Sequence, residues 1–171
     1  MSASERAAQR LLSLAPKCIA LPVQLMPFTI KAKILAQVLD LSVSRQFAAE
    51  ELAFLYGRPV GIVVSDLNVQ FTVVYQGRWQ INEAQSCDVT FTANSRELLL
   101  ILAAKEDPDT LFFQRKLAMQ GNTEFGLAVK NLLMSIELDS QPGPVKHGIL
   151  GLTQLLLGVE KRAGIEHVYL S

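Results

Sequence analysis

Side chains that make or break covalent bonds are scarce in this chain of 171 residues, which holds two cysteines and two histidines. Cys18 and Cys87 lie far apart in apolar surroundings and lack the paired spacing of a zinc site. They are too few and too distant for an iron–sulfur cluster. They read as reduced thiols acting as small hydrophobes, with a reducing cytosol as the natural compartment. Both histidines, His147 and His167, fall in the tail, where a general base would have no partner constellation. No serine sits in a Gly-x-Ser-x-Gly elbow. Glu50-Glu51 and Glu106-Asp107 read as solvated pairs rather than a catalytic dyad. Charge of either sign is also missing as an excess, because 16 Lys and Arg balance 16 Asp and Glu. No long-range field then selects nucleic acid or an anionic surface. Arg115-Lys116 is a solvated strand entry or a lipid-headgroup contact, not a nucleic-acid patch. The expectation is a protein that is not an enzyme, with no metal and no cofactor.

A transmembrane run is lacking as well. Residues 11–30, LLSLAPKCIALPVQLMPFTI, are apolar enough to suggest one, but Pro16, Pro22 and Pro27 interrupt any helix there and Lys17 lies inside. No continuous apolar stretch follows Arg6 and Arg10 as a signal peptide requires, and Leu-Ala-Pro-Lys before Cys18 is not a lipoprotein site. A soluble protein with a sticky N-terminal segment is expected.

What the chain does have is apolar residues. The hydrophobic set is 50% and the charged fraction 19%, against about 25% charged in an ordinary soluble domain. That surplus requires a large core, an apolar ligand cavity, or a surface that meets a partner or bilayer.

Along the chain, residues 2–14 suit a short amphipathic helix, followed by a Pro-spaced connector to Pro27. A longer helical pattern starts near Ile30, with Ile34, Leu35, Val38, Leu39, Val43 and Phe47 apolar, and runs on to Leu55 before Gly57-Arg58-Pro59 stops it. The period then changes. Val60 to Val64 is β-branched, and Leu67 to Tyr75 alternates as a one-sided strand should. Gln76-Gly77 turns the chain into a returning strand over Arg78 to Ile81. Val89 and Phe91 mark another half-buried strand, and Asn94 or Ser95 caps a helix carrying Leu98, Leu99, Ile101 and Leu102. Asp107-Pro108 opens a short helix, Leu117 to Gln120 suits an edge strand, and Asn122 can cap a helix bearing Phe125, Val129, Leu132, Leu133 and Ile136 on one face. SQPGPVK after Asp139 reads as a linker, and 147–163 as a last helix. The sum is an α+β fold. Three units are expected: an N-terminal segment 1–33, a domain 34–138, and a linker with a C-terminal helix 139–171.

The run from Asp107 to Asp139 is the most telling, because it joins an aromatic turn, a short strand and an apolar-faced helix without one Cys or His. It can wall a container but offers little for catalysis. Phe112 and Phe113 point about 100° apart on a helix, so both cannot enter one core stripe. Either one packs in the core and one between elements, or one walls a cavity. The stripe of Phe125, Val129, Leu132 and Leu133 is likewise core or cavity wall, and periodicity cannot separate the two.

The segment GNTEFGLAVKNLL, from Gly121 to Leu133, resembles the closing strand-turn-helix of sterol carrier protein domains. With DPDTLFFQRKLAMQ before it and PVQLMPFTIKAKIL near the start, it is similar to the bacterial branch that assists oxygen-independent ubiquinone biosynthesis. The domain likeness covers roughly 35–138, the narrower one extends to about residue 20, and 140–171 are not placed by it. Asn122 stands where the family usually has Asp, but Asn caps a helix equally well.

The resemblance implies about five antiparallel strands backed by helices around an apolar tunnel, walled here by Phe71, Val89, Phe91, Phe112, Phe113, Phe125, Val129, Leu132 and Leu133. It implies a non-catalytic carrier of isoprenoid quinone precursors or phospholipid. At about 0.8 kcal/mol per buried CH₂, a polyprenyl chain does not stay free in water. The implied partners are the iron–sulfur hydroxylation proteins of the oxygen-independent pathway. The implied place is the cytoplasm, with peripheral contact at the inner membrane through residues 1–30 and no nucleic acid involved. The alternative is a scaffold with a filled core and no lipid, docking biosynthetic enzymes through residues 1–30 and 147–163.

Overall fold

A computed structural model of the chain describes residues 25–137, 139 and 143–162. The expected helix over 2–14, the connector up to residue 24, Cys18 and His167 lie outside the described residues. Among these residues five strands and five α-helices follow in order: α1 (Phe28–Leu39), β1 (Val60–Val64), β2 (Val69–Tyr75), β3 (Trp79–Glu83), β4 (Val89–Ala93), α2 (Ser95–Leu102), α3 (Pro108–Phe113), β5 (Leu117–Gly121), α4 (Thr123–Met134) and α5 (Gly143–Arg162). The α+β class and the five strands match the expectation.

The strands form one sheet in the order β3-β2-β1-β4-β5. Three of its pairings are antiparallel, but β1 and β4 run parallel, so the sheet is mixed. The chain first winds β1, β2 and β3 as a meander, with Gly77 at φ 73° in the hairpin turn. It then crosses back over 84–88 to the free side of β1. Two hydrogen bonds hold that crossover on the reverse face. Gln85 donates its backbone N–H to Thr72 Oγ1 (3.3 Å), and Asp88 N–H reaches Pro59 O (2.9 Å). Cys87 sits in the same crossover, its Sγ 3.1 Å from Gln85 O and 3.4 Å from Thr72 Oγ1. It packs as a small polarizable group.

The predicted single helix from Ile30 to Leu55 is broken. The α-helix ends at Leu39, a π-helical turn follows at Asp40–Ser44, and a 3₁₀ turn at Ala53–Leu55. The reason lies in what must be buried. Val43 is 2% exposed and Leu52 1%, yet nine residues at about 100° each would put them on opposite sides of a straight helix. Both reach the core only if the chain bends between them. Trp79 Nε1 donates to Ser44 Oγ (2.8 Å) on one side of the bend, and Ala48 N–H donates to Glu51 Oε2 (2.8 Å) on the other.

α2 starts where expected, but its cap is supplied from a distance. Asn94 makes no side-chain cap bond. Asp66 instead accepts the Ser95 N–H (2.8 Å) and the Ser95 hydroxyl (2.5 Å). Asp66→Ala removes both bonds and should cost about 1–2 kcal/mol, as losing a good cap does. A urea titration of the purified variant measures it, and an unchanged midpoint would show that Asp66 does not hold α2. At α3 and α4 the caps are local, as the sequence predicts: Asp107 accepts from Thr110 N–H (3.2 Å) and Asn122 from Phe125 N–H (2.9 Å). α5 begins earlier than expected. Gly143–Lys146, read from composition as linker, are helical, with Pro144 in the first turn where its missing N–H costs nothing.

Candidate functional site

Register decides what the helix-covered face of the sheet presents, because residues paired across strands share a face. Three rows cross it. The first joins Val73, Val60 and Val89; the second joins Phe71, Ile62, Phe91 and Met119; the third joins Val69, Val64, Ala93 and Leu117. The opposite face carries Thr72, Thr90, Thr92, Gln70 and Gln120. The apolar surplus is therefore concentrated on one side.

That side is solid at one end and hollow at the other. Around Val60 and Val89 the space is filled by Leu52, Leu55, Phe125 and Val129, all buried in one contiguous core. Gly126 lets α4 lie directly on the strands there, since a Cβ would come within 3.0 Å of Val89 Cγ2 and closer still to the Met119 sulfur. The Arg58 guanidinium stacks 3.6 Å above the Phe125 ring and bonds Asp88 Oδ2 at 2.8 Å.

Around the second and third rows the helices stand off from the sheet. They leave a cavity of about 480 Å³, within the usual range of about 300–1,000 Å³ for ligand pockets. Ile62, Val64, Val69, Phe71, Phe91 and Leu117 form its floor. Its walls come from Ile34 and Leu35 on α1, Leu98, Ile101 and Leu102 on α2, Pro108 on α3, and Leu133 on α4, with Met26, Leu67 and Ile136 from flanking turns. Ile34 and Leu102 are 49% and 50% exposed, which places both at the rim.

Two lysines interrupt the apolar lining, Lys31 and Lys130. They are not equivalent. Lys130 is paired with Asp109 of α3. No counter-ion meets Lys31 among the described residues.

The expected tunnel wall divides three ways. Phe71, Phe91 and Leu133 line the cavity. Val89, Phe125 and Val129 belong to the solid half, and Leu132 packs against it. Phe112 and Phe113 lie outside the lining, the latter 83% exposed. Three apolar residues in a row compete for one inward position on the short α3, and the fully buried Leu111 takes it. The rings of Phe112 and Phe113 then meet each other edge-to-face at 6.3 Å. The expected wall leaves out most of the lining, among it Ile62, Val64, Val69 and Leu117 on the strands and Ile34, Leu98, Ile101 and Leu102 on the helices. Adjacent apolar pairs such as Ile101-Leu102 exceed what one core stripe needs, and that excess was the available signal.

No Cys, His, Asp or Glu is among the described residues that line the cavity. Among the described residues no three His, Cys, Asp or Glu side chains come together as a metal site. Glu97 is buried with Oε1 held by Arg96 Nη1 (3.2 Å) and Oε2 without a partner, but it is not part of the lining. Among the described residues no helix is long and apolar enough to cross a membrane.

Comparison with known proteins agrees with this geometry. The model of the SCP-2 sterol transfer family matches residues 35–134. The ubiquinone biosynthesis accessory factor UbiT of Escherichia coli (strain K12) is 41% identical over 148 residues, 86% of this chain and 85% of that one. Sterol carrier protein 2 of Gallus gallus is 32% identical over 71 residues, 42% of this chain and 12% of the relative. Among solved structures, one described as UbiJ-SCP2 ubiquinone synthesis protein superposes with a TM-score of 0.53 at 18% identity, covering 64% of this chain and 93% of the other. That last likeness concerns the fold.

Proposed function

We propose, since the chain belongs to the SCP-2 sterol transfer family, that it is a non-catalytic accessory factor of ubiquinone biosynthesis that holds isoprenoid quinone precursors in the hollow half of its sheet. The observation that carries this is the 480 Å³ apolar cavity between α1, α2 and α4. A cavity so lined favours lipid over a filled-core scaffold. The similarity to the E. coli accessory factor, which spans most of both chains, supports the pathway. The lack of a reactive constellation at the cavity fits a protein that presents a substrate to other enzymes. Hydroxylation proteins of the oxygen-independent route are the partners this reading names, in the cytoplasm or at the inner membrane surface. The segment 1–30 is its candidate for peripheral membrane contact.

Cavity size sets a limit on what is held. A chamber of about 480 Å³ lies in the lower half of the range of pockets that hold drug-sized ligands. A polyprenyl tail of tens of carbons does not fit whole. The chamber accommodates one stretch of chain, and the rest must pass the rim at Ile34 and Leu102. A short-tailed prenyl quinone should then bind as well as a long one. Displacement of the neutral fluorophore diphenylhexatriene by quinones with ten-, twenty- and forty-carbon tails tests this. Stoichiometric displacement by all three is expected, and failure of every quinone to compete would remove the carrier function.

A further inference from the structure

β5 ends the sheet on one side and, among the described residues, pairs with β4 alone. Its sequence, Leu-Ala-Met-Gln-Gly over Leu117–Gly121, holds no charge and no proline. Charge and proline are the usual guards that keep one sheet edge from pairing with another. The opposite edge is protected, since α1 lies against β3 and Glu83 stands in that strand.

The register fixes which backbone groups the open edge presents. Asn122 donates its N–H to Asp88 O (2.8 Å), and along an antiparallel ladder such bonded pairs alternate with unbonded ones. Gln120 with Thr90 and Ala118 with Thr92 are then the bonded pairs, whereas Met119 with Phe91 and Gly121 with Val89 are not. The N–H groups of Met119 and Gly121 and the carbonyls of Leu117 and Met119 therefore point away from β4. No group among the described residues meets them. The flanks of the strand carry opposite charges. Arg115-Lys116 precede it and Glu124 follows it, and none of the three forms an ion pair among the described residues. A strand so flanked is complementary to its own reversed copy.

We propose that β5 pairs with β5 of a second copy of this chain, antiparallel and centred on Met119, to give one continuous sheet. Met119 exchanges N–H and carbonyl with its counterpart, and each Gly121 N–H reaches the other copy's Leu117 carbonyl. Ala118 of one copy stands opposite Gln120 of the other on the polar face. Beyond the strand ends, Arg115 and Lys116 of each copy approach Glu124 at the start of the other's α4. Phe112 and Phe113, exposed and outside the cavity lining, stand at that same end, where the second copy covers them. Paired residues share a face, so both hollow halves lie on one side of the joined sheet. The dimer presents its two chambers to the same surface.

A seam this short belongs with weak, transient interfaces. Sedimentation velocity of the full chain, run from low micromolar to near-millimolar concentration, should show the mass rise from one copy to two. Ala118→Lys/Gln120→Lys changes two exposed positions and sets ammonium groups directly opposite one another across the seam, where like charges repel. That variant should stay a single copy throughout, with its urea midpoint and its diphenylhexatriene binding unchanged. Ala118→Glu/Gln120→Glu should do the same by itself. Mixed in equal amounts, the two variants should form a one-to-one dimer, which requires position 118 of one copy to face position 120 of the other. A wild-type chain that stays single at every concentration overturns the proposal. So does a Lys variant that dimerises as the wild type does, or a mixture that fails to pair. Ligand binding is read separately, so the carrier function survives each of these results.

Discussion

The double variant Ile101→Trp/Leu133→Trp is expected to lose ligand while keeping its fold. Both residues line the cavity, one on α2 and one on α4, and both are half-buried against the core rather than locked within it. Two indoles in their place consume room that a ligand chain would otherwise use. Excluding about four methylenes removes ~3 kcal/mol of burial at about 0.8 kcal/mol each, or roughly a hundredfold in affinity. Overpacking a tight core costs about 1–3 kcal/mol, but here the added rings enter existing space. Unfolding stability should hold or rise. Measured together by fluorophore displacement and urea titration, the two readouts should separate. If the variant binds ligand as tightly as the wild type, the cavity is not where lipid sits.

Gly121→Ala should be the most destabilising small substitution. Gly121 ends β5 at φ 109°, a conformation that side chains resist. A Cβ there would lie 2.4 Å from Asp88 O and 3.1 Å from Val89 Cα, both backbone atoms that cannot rotate aside. The same Asp88 carbonyl accepts the Asn122 N–H at 2.8 Å, and the Asp88 carboxylate holds Arg58 over the Phe125 ring. Pushing this strand apart therefore weakens the α4 cap region and the solid half of the core together. Strain of about 1–3 kcal/mol with one or two hydrogen bonds of about 1 kcal/mol each gives a loss near 4 kcal/mol. For a chain of this size that lowers Tm by roughly 10 °C. Gly148→Ala is the contrast: it lies within α5 with nothing inside 4 Å of its would-be Cβ. There alanine should gain up to about 1 kcal/mol. A Gly121→Ala melting curve within 2 °C of wild type would refute the close approach of β5 to 88–89.

The sequence carried the fold further than the site, and the helix α4 shows why. Phe125, Val129 and Leu133 recur every four residues on one stripe. Their period says that all three face the sheet, which they do. It says nothing about what stands opposite. Phe125 and Val129 meet the first row and fill it, whereas Leu133 lies over the second and third rows, where the helices part from the sheet. Only the register of β1 against β2 and β4 separates those halves. The parallel pairing of β1 with β4 was hidden for a similar reason, since strand periodicity records faces but not neighbours. Likewise the break after Leu39 follows from burying both Val43 and Leu52, a tertiary demand that overrides a continuous helical pattern. Where partners are close in sequence, as with Asn122 and Phe125 or Asp107 and Thr110, local reading sufficed. Where they are distant, as with Asp66 and Ser95, it did not.

The most direct test of the carrier function is native mass spectrometry of the freshly purified full chain, followed by organic extraction and identification of what is released. A stoichiometric prenylated quinone precursor or other long-chain amphiphile, lost in the Ile101→Trp/Leu133→Trp variant, is the expected result. A monodisperse protein with no bound lipid, which also takes none up from an excess of prenyl quinone, would contradict it.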